Sequence, residues 1–307
     1  MIVLICAPGR DHSRLVRRIG QLAPDLEVRV WPDVGAPEAV EFAVVWKHPA
    51  GLLRELTGLR AVSSLGAGVD HLLNDPDLPP NLPVGRLVGP RLAADMAGYL
   101  VAQILGHWRR LDRFPEFQKQ RQWRPWAPDR PPQVGLLGLG RMGQRAALAF
   151  QALQVPVAAW RQRPLDDASV PIHHGRDGLE AIAGLVDYLV CLLPLTDQTR
   201  AILDQNLFRC MKPGSVLINV GRGEHLVESD LLDALDQGRP GLAMLDVFTE
   251  EPLPPRHPFW THPAVRITPH CASLTQPEEA ADLIVTSVRR VQDGLSPLDP
   301  VERKLGY

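Results

Sequence analysis

Four features of this 307-residue chain have residue types and spacing that could do chemistry. Three glycines stand at Gly138-x-Gly140-x-x-Gly143, directly after the apolar run Val134-Gly-Leu-Leu137 and before the helix-like stretch 144–153. In a dinucleotide fold the first glycine makes the tight turn, the second lets main chain approach a pyrophosphate, and the third allows close helix–strand packing. An arginine, Arg222, sits between two glycines just beyond the apolar run Ser215–Val220. Asp246 interrupts an otherwise apolar segment, 241–248, that leads to Glu251. His270 follows the short strand-like run Val265–Thr268 and Pro269. A reductase of an acidic carbonyl compound needs a hydride donor, a proton donor for the developing alkoxide and a cation to hold the substrate, and a dinucleotide, an imidazole and an arginine are the groups that could supply them.

Each residue alone has a plainer explanation. Arg222 could bridge to a neighbouring carboxylate, and Glu251 could be solvated on a loop. Asp246, buried in an apolar strand, is costly unless hydrogen-bonded, so a ligand amide is one candidate partner. Nine other histidines compete with His270. His173 and His174 are adjacent but lack a carboxylate or cysteine at ligand spacing, so they read as loop residues and no metal is expected. His107 falls inside a long helix and His225 at a presumed helix start. His270 stands apart because it lies at the carboxyl end of an expected strand, the edge where open α/β sheets bind ligands.

The glycines do not distinguish NAD, NADP or FAD. The next strand, 155–160, is more informative. About 20 residues past such a loop an NAD site places an acid for the ribose 2′-hydroxyl. Here the chain reads Trp160-Arg161-Gln162-Arg163, with no acid before Asp166. Two guanidinium forks suit a 2′-phosphate, so NADPH is expected in preference to NADH, which remains possible. The alternative is two solvated arginines in a chain with 29 Arg and 4 Lys.

The elements that must position these groups alternate between short Val- and Leu-rich runs and longer helical stretches, the pattern of parallel sheets covered on both faces. A first series runs through 2–6, 27–31, 42–46 and 61–65. A long helix is expected over 91–111, with Leu92, Met96, Tyr99, Leu100, Ile104 and Trp108 near one face. Residues 114–133 carry five prolines and read as a connecting segment. A second series runs from Val134 to about Ala272, and 277–294 reads as a closing helix with Pro at its start.

Composition bounds the rest. The chain is 45% hydrophobic and 22% charged, ordinary for a globular protein, and long enough for two domains. A formal net charge of −2 removes the basic footprint of a nucleic-acid binder. No apolar run approaches the ~18 residues of a membrane helix. The stretch 1–9 lacks a basic n-region and reads as a first strand rather than a signal peptide. Four scattered cysteines suggest neither a zinc site nor a disulfide framework, and the expected location is the cytoplasm.

Taken together, the motifs resemble those of the D-2-hydroxyacid dehydrogenases. The resemblance rests on Leu217-Ile-Asn219-Val-Gly-Arg222-Gly223, Leu245-Asp246-Val-Phe248, Glu251-Pro-Leu-Pro254 and Thr268-Pro-His270, with Arg222, Glu251 and His270 spaced 29 and 19 residues apart. Leu193-Pro-Leu-Thr-Asp-Gln-Thr-Arg200 resembles the family's segment along the adenosine half of the cofactor. Ser64-Leu-Gly66-Ala-Gly68-Val-Asp70 resembles its substrate-carboxylate loop. Within the family the glyoxylate/hydroxypyruvate reductase branch is most similar, on Val45-Trp46-Lys47, His107-Trp-Arg-Arg110, Ala243–Phe248 and the closing Gly306-Tyr307. Two departures are Gly98, where many relatives carry Glu, and Gly221, where Ala is common.

The resemblance implies an α/β protein of two doubly wound parallel-sheet domains. A Rossmann nucleotide domain, 100–273, is inserted into a flavodoxin-like substrate domain, 1–99 and 274–307. Arg222, Glu251 and His270 would be catalytic. Gly138, Leu139, Gly140, Arg141, Met142, Gly143, Trp160, Arg161, Arg163, Leu193, Pro194, Thr199, Val220, Gly221 and Asp246 would bind the cofactor. Backbone N–H groups of Gly66, Ala67, Gly68 and Val69 would hold a small 2-keto acid, with Trp46 and Lys47 as further substrate contacts; a core Trp and a surface Lys are the alternative for that pair. The resemblance also implies a homodimer and reduction of glyoxylate and hydroxypyruvate with NADPH. Another D-2-hydroxy acid, or a nucleotide-sensing corepressor-like role, is the competing reading. Cys271, beside His270, is expected to be a buried small apolar residue rather than a nucleophile.

Overall fold

The computed structural model describes residues 1–165 and 168–307, so Asp166 lies outside the described residues. The chain divides into two compact units, one of Met1–Leu92 with Thr275–Tyr307 and one of Ala93–Leu274. The first passage from unit to unit falls inside the helix Pro90–Trp108, where no turn residue marks it in the sequence.

The first unit is a five-stranded parallel sheet of β1 (Ile2–Cys6), β2 (Glu27–Val30), β3 (Val40–Val45), β4 (Ala61–Ser64) and β5 (Val84–Arg86), in the order 2-1-3-4-5. That is the flavodoxin-like arrangement. Side chains alternate between the faces of a strand, and both faces here are buried. Val3, Ile5, Phe42 and Val44 meet the helices Ser13–Leu22 and Pro277–Gln292 on one face. Leu4, Cys6, Ala43 and Val45 meet Leu52, Leu53 and Leu72 on the other. The closing helix belongs to this unit because Ala280, Ala281, Ile284 and Val288 complete its core. Its outer side pairs Arg289 with Asp25 and Glu278 with Arg14.

The second unit carries a seven-stranded parallel sheet: β6 (Val134–Leu137), β7 (Val157–Arg161), β8 (Ile172–His174), β9 (Tyr188–Cys191), β10 (Val216–Asn219), β11 (Leu242–Leu245) and β12 (Val265–Ile267). Its order, 12-11-10-9-6-7-8, is the doubly wound dinucleotide-binding topology with one added strand. The order reverses between β6 and β9, the switch point where such sheets bind ligands.

Several local expectations are corrected. The segment 114–133 contains a helix, Phe114–Lys119, where proline sits at the permissive first turn and Phe114 packs on Phe117. The long helix ends at Trp108 rather than Leu111, because Arg110 turns left-handed and Leu111 N–H closes back on the Gly106 carbonyl. His173 and His174 are strand residues of β8, not loop residues. Asp246 lies just past β11 rather than within it, and His225 ends a 3-10 turn, Gly223–His225, ahead of the helix that begins at Glu228. Cys271 is exposed, contrary to expectation, because it lies on the loop past β12 that is held by its main-chain N–H on Asp246 rather than packed into a core. Among the described residues, no helix is long and apolar enough to cross a membrane.

Candidate active site

In the second unit the glycine loop, Arg222 and His270 follow the carboxyl ends of strands. The glycine loop follows β6. Gly138 has φ +104°, a conformation that only glycine adopts without strain. A Cβ on Gly143 would sit 2.2 Å from the Gly138 carbonyl oxygen, so the loop and the helix Arg141–Ala152 are in closer contact than any side chain allows. At Gly140 the corresponding space is open, with nothing within 4 Å. The helix N-terminus there has no side-chain cap at Gly140, and its dipole favours an anion. This cradle fits a dinucleotide pyrophosphate. Leu139 is buried, while Arg141 and Met142 begin the helix.

The neighbouring strand β7 ends at Arg161, half-buried, and Arg163 is exposed two residues on. Trp160 faces the core: it is 2% exposed and its indole N–H donates to the Gly175 carbonyl at 2.7 Å. What Trp160 offers the glycine loop is its main-chain carbonyl, which accepts the Gly138 N–H. Beyond β9, the Thr199 hydroxyl donates to the Pro194 carbonyl at 2.6 Å and accepts from Thr196 N–H at 2.8 Å, closing the segment after Leu193 into a tight turn.

β10 delivers Val220, Gly221 and Arg222. The Asn219 side chain organises this turn: its Oδ1 accepts Gly221 N–H at 3.2 Å and its Nδ2 donates to the Arg222 carbonyl at 2.8 Å. β12 delivers His270, whose Nδ1 lies 2.8 Å from Glu251 Oε2. The carboxylate can only accept, so Nδ1 carries a proton and Nε2 is the nitrogen free to exchange one. Glu251 Oε1 in turn accepts the Phe248 N–H at 3.2 Å. Both side chains are partly accessible, 33% for His270 and 21% for Glu251, as a proton-transfer pair requires.

Asp246 does something the sequence did not reveal. Its carboxylate is buried and already satisfied by three donors of the following loop: the Thr268 hydroxyl at 2.5 Å and the Cys271 and Ala272 N–H groups at 2.9 Å each. Its carbonyl accepts the His270 N–H at 2.8 Å. A ligand amide is therefore not needed to explain its burial. Because Thr268 donates to Asp246, Tyr99, 2.7 Å from the Thr268 oxygen, must donate to Thr268. These bonds hold His270 in a left-handed conformation at φ +50°.

In the first unit, the loop after β4 is shaped by Ser64, whose hydroxyl donates to the Gly68 carbonyl at 2.6 Å and accepts Gly66 N–H at 3.3 Å. Trp46 follows β3 and is half-buried, its ring 4.8 Å from that of His71. A Cβ on Gly66 would lie 3.1 Å from the Trp46 ring, so indole and loop are in contact. Lys47 is exposed, with φ +47°.

Residues 101–272 match the family described as D-isomer specific 2-hydroxyacid dehydrogenase, NAD binding domain. The chain belongs to that family. Its relatives include glyoxylate/hydroxypyruvate reductase A of Photorhabdus laumondii and of Serratia proteamaculans, each 38% identical over the whole of both chains. Among solved structures it is similar to a D-isomer specific 2-hydroxyacid dehydrogenase from Xanthobacter autotrophicus in complex with NADPH and MES, at TM-score 0.93 and 33% identity over 100% of this chain and 99% of that one. An NADPH-dependent glyoxylate/hydroxypyruvate reductase from Sinorhizobium meliloti, in complex with NADP and sulfate, matches at TM-score 0.91 and 32% identity over 100% and 99%. This D-2-hydroxyacid dehydrogenase is thus an NAD(P)-dependent oxidoreductase of the glyoxylate/hydroxypyruvate reductase A-like branch.

Proposed function

We propose that the chain reduces small 2-keto acids, glyoxylate to glycolate and hydroxypyruvate to D-glycerate, with NADPH as the preferred reductant. The observation that carries this reading is the Glu251–His270 pair, a carboxylate holding one imidazole nitrogen so that the other can give a proton. When bound, the dihydronicotinamide supplies the hydride. His270 Nε2 donates the proton that the developing alkoxide takes up, and Glu251 keeps the ring in one tautomer and one orientation throughout. Arg222 pairs with the substrate's carboxylate and carbonyl oxygens and draws electron density from C2. The loop Gly66–Val69, whose Gly66 N–H is taken by Ser64, offers its remaining main-chain N–H groups as a nest suited to a carboxylate. Trp46, whose ring meets that loop at Gly66, and Lys47 are taken as further substrate contacts.

The preference for NADPH is supported by Arg161 at the end of β7 and Arg163 two residues on, and by the relatives whose structures hold NADPH or NADP. The reading includes a cytoplasmic homodimer, for which the fully exposed Trp123 and the exposed Leu111 offer apolar surface; light scattering on the purified chain tests it. The deciding experiment follows absorbance at 340 nm with NADPH and NADH in parallel against glyoxylate, hydroxypyruvate and pyruvate. Faster turnover with NADPH on the first two acids is expected. Turnover with NADH alone overturns the cofactor assignment, and turnover of neither acid overturns the substrate assignment.

A further inference from the structure

One histidine beside this chemistry takes no part in it. His225 is fully buried at the end of the turn that carries Arg222. Its Nδ1 lies 3.0 Å from the Arg222 main-chain nitrogen, and its Nε2 lies 3.3 Å from the Pro194 carbonyl oxygen. A main-chain N–H can only donate, so Nδ1 is the unprotonated, accepting nitrogen. A carbonyl can only accept, so Nε2 carries the hydrogen. The two partners select one neutral tautomer and use both of its polar atoms.

The two ends of this tie are both functional. Pro194 opens the turn that Thr199 closes, in the segment assigned to the adenosine half of the cofactor. Arg222 is the cation assigned to the substrate. Its carbonyl is already held by Asn219, so His225 completes the fixing of both main-chain polar groups of that residue. Space for the ring is made by Gly221: a Cβ there would lie 2.9 Å from Nδ1 and 3.1 Å from the Leu193 carbonyl. The glycine that departs from the common alanine is thus the residue against which the imidazole packs.

We propose that His225 is a positioning residue that ties the Arg222 main chain to the Pro194–Thr199 turn, setting the substrate-polarising guanidinium at a fixed distance from the cofactor-binding segment. The inference rests on the assignment of Arg222 to the substrate. An imidazole suits the task because an acceptor and a donor are built rigidly into one ring, whereas two separate side chains would each have to be ordered.

The two ends of the tie separate by substitution. In His225→Asn the amide oxygen falls near the Nδ1 position and retains the bond to Arg222, while the link to Pro194 is lost. In His225→Gln the amide nitrogen falls near the Nε2 position and retains the link to Pro194, while the Arg222 N–H loses its acceptor. Expected results are a kcat about 10- to 100-fold lower in His225→Gln with NADPH affinity within about twofold of the parent. His225→Asn should keep kcat within about threefold and bind NADPH several-fold more weakly by fluorescence titration. A buried filler would not divide kcat from cofactor affinity in opposite senses. Equal losses of both quantities in either folded variant, or parental values of both, overturn the proposal, and either variant decides alone if the other does not fold. Should the parent chain turn over neither acid, the substrate reading fails on its own account. The NADPH titration then still decides the Pro194 half of the tie, because only the Asn variant should weaken binding.

Discussion

Gly223→Ala is the substitution for which the structure gives the sharpest expectation. A Cβ on Gly223 would lie 1.9 Å from the Phe248 carbonyl carbon and 2.2 Å from the Thr249 nitrogen. Both atoms are main chain, so no rotamer change relieves the contact. Restoring van der Waals separation requires the Arg222–His225 turn and the Phe248–Thr249 peptide to part by about 1.5 Å. Overpacking typically costs ~1–3 kcal/mol, and a backbone-on-backbone collision belongs at the upper end. At ~2–4 °C per kcal/mol for a domain of this size, the melting temperature should fall by roughly 6–12 °C. Activity should suffer more than stability. Arg222 precedes the glycine, and the Phe248 N–H binds the Glu251 carboxylate that holds His270. The same displacement therefore separates the cation proposed for the substrate from the imidazole proposed as proton donor, and a misplacement of about 1 Å costs ~10²-fold in rate. The control is Gly98→Ala, in the exposed face of the helix Pro90–Trp108, where an added Cβ meets nothing within 4 Å. It should raise stability by ~0.5–1 kcal/mol and leave kcat unchanged. Calorimetry and the 340 nm assay read both. A Gly223→Ala enzyme with parental melting temperature and kcat would refute the packing argument, and one that melts early but turns over normally would refute the link between Arg222 and His270.

Other perturbations follow from the same geometry. Burial works to raise the Asp187 carboxyl, but two bonds from Arg130, the Gln133 N–H and Lys212 outweigh it and push the group down from 3.8 to about 2. A depressed carboxylate stabilises the fold fully above its ordinary value and loses that contribution as pH falls through 3.8 to about 2. The exposure of Arg130 reduces the effect to ~1–2 kcal/mol. Chemical denaturation from pH 6 to 2 should show Asp187→Asn with a flatter acid limb than the parent, and parallel curves would contradict this. Asp246→Asn sets an NH2 group against a buried donor of the 268–272 loop, so it should cost ~1–3 kcal/mol and lower kcat through His270; an unchanged melting curve would exclude the role given to Asp246. Arg161→Gln combined with Arg163→Gln should cut kcat/KM for NADPH by about 10- to 100-fold while leaving NADH untouched, since charge-assisted bonds to a 2′-phosphate are worth ~1.5–3 kcal/mol; equal losses with both cofactors would show the arginines act elsewhere.

How much of this was legible in the sequence depends on the range of the interactions. The buried strands of both sheets declare themselves as apolar runs because both faces of a parallel sheet are covered. The glycine loop is legible because its requirement is local: a turn, a close approach, and a helix start within six residues. Val84–Arg86 is not legible, since three residues carry no period. Glu251 and His270 were found through motif spacing, but Asp246 looked like a ligand for the cofactor. Its real partners, Thr268, Cys271 and Ala272, lie 22 to 26 residues away and are mostly main-chain groups, which leave no mark on side-chain pattern. His225 is hidden for the same reason: one of its partners is an N–H and the other a carbonyl.

The direction shared by all seven strands of the second sheet divides the unit into two ends with separate duties. The glycine loop, Arg161, Leu193, Arg222, Asp246 and His270 all emerge where strands finish. The Arg130–Asp187–Lys212 clamp sits where β6, β9 and β10 begin. Four residues of strand, ~13 Å of rigid ladder, lie between the two ends. Changes that tighten or loosen the starting end should alter how long the protein survives acid or heat without altering how fast it works. Adaptation to a harsher environment and adaptation to a new substrate can then proceed at opposite ends of one sheet, each largely blind to the other.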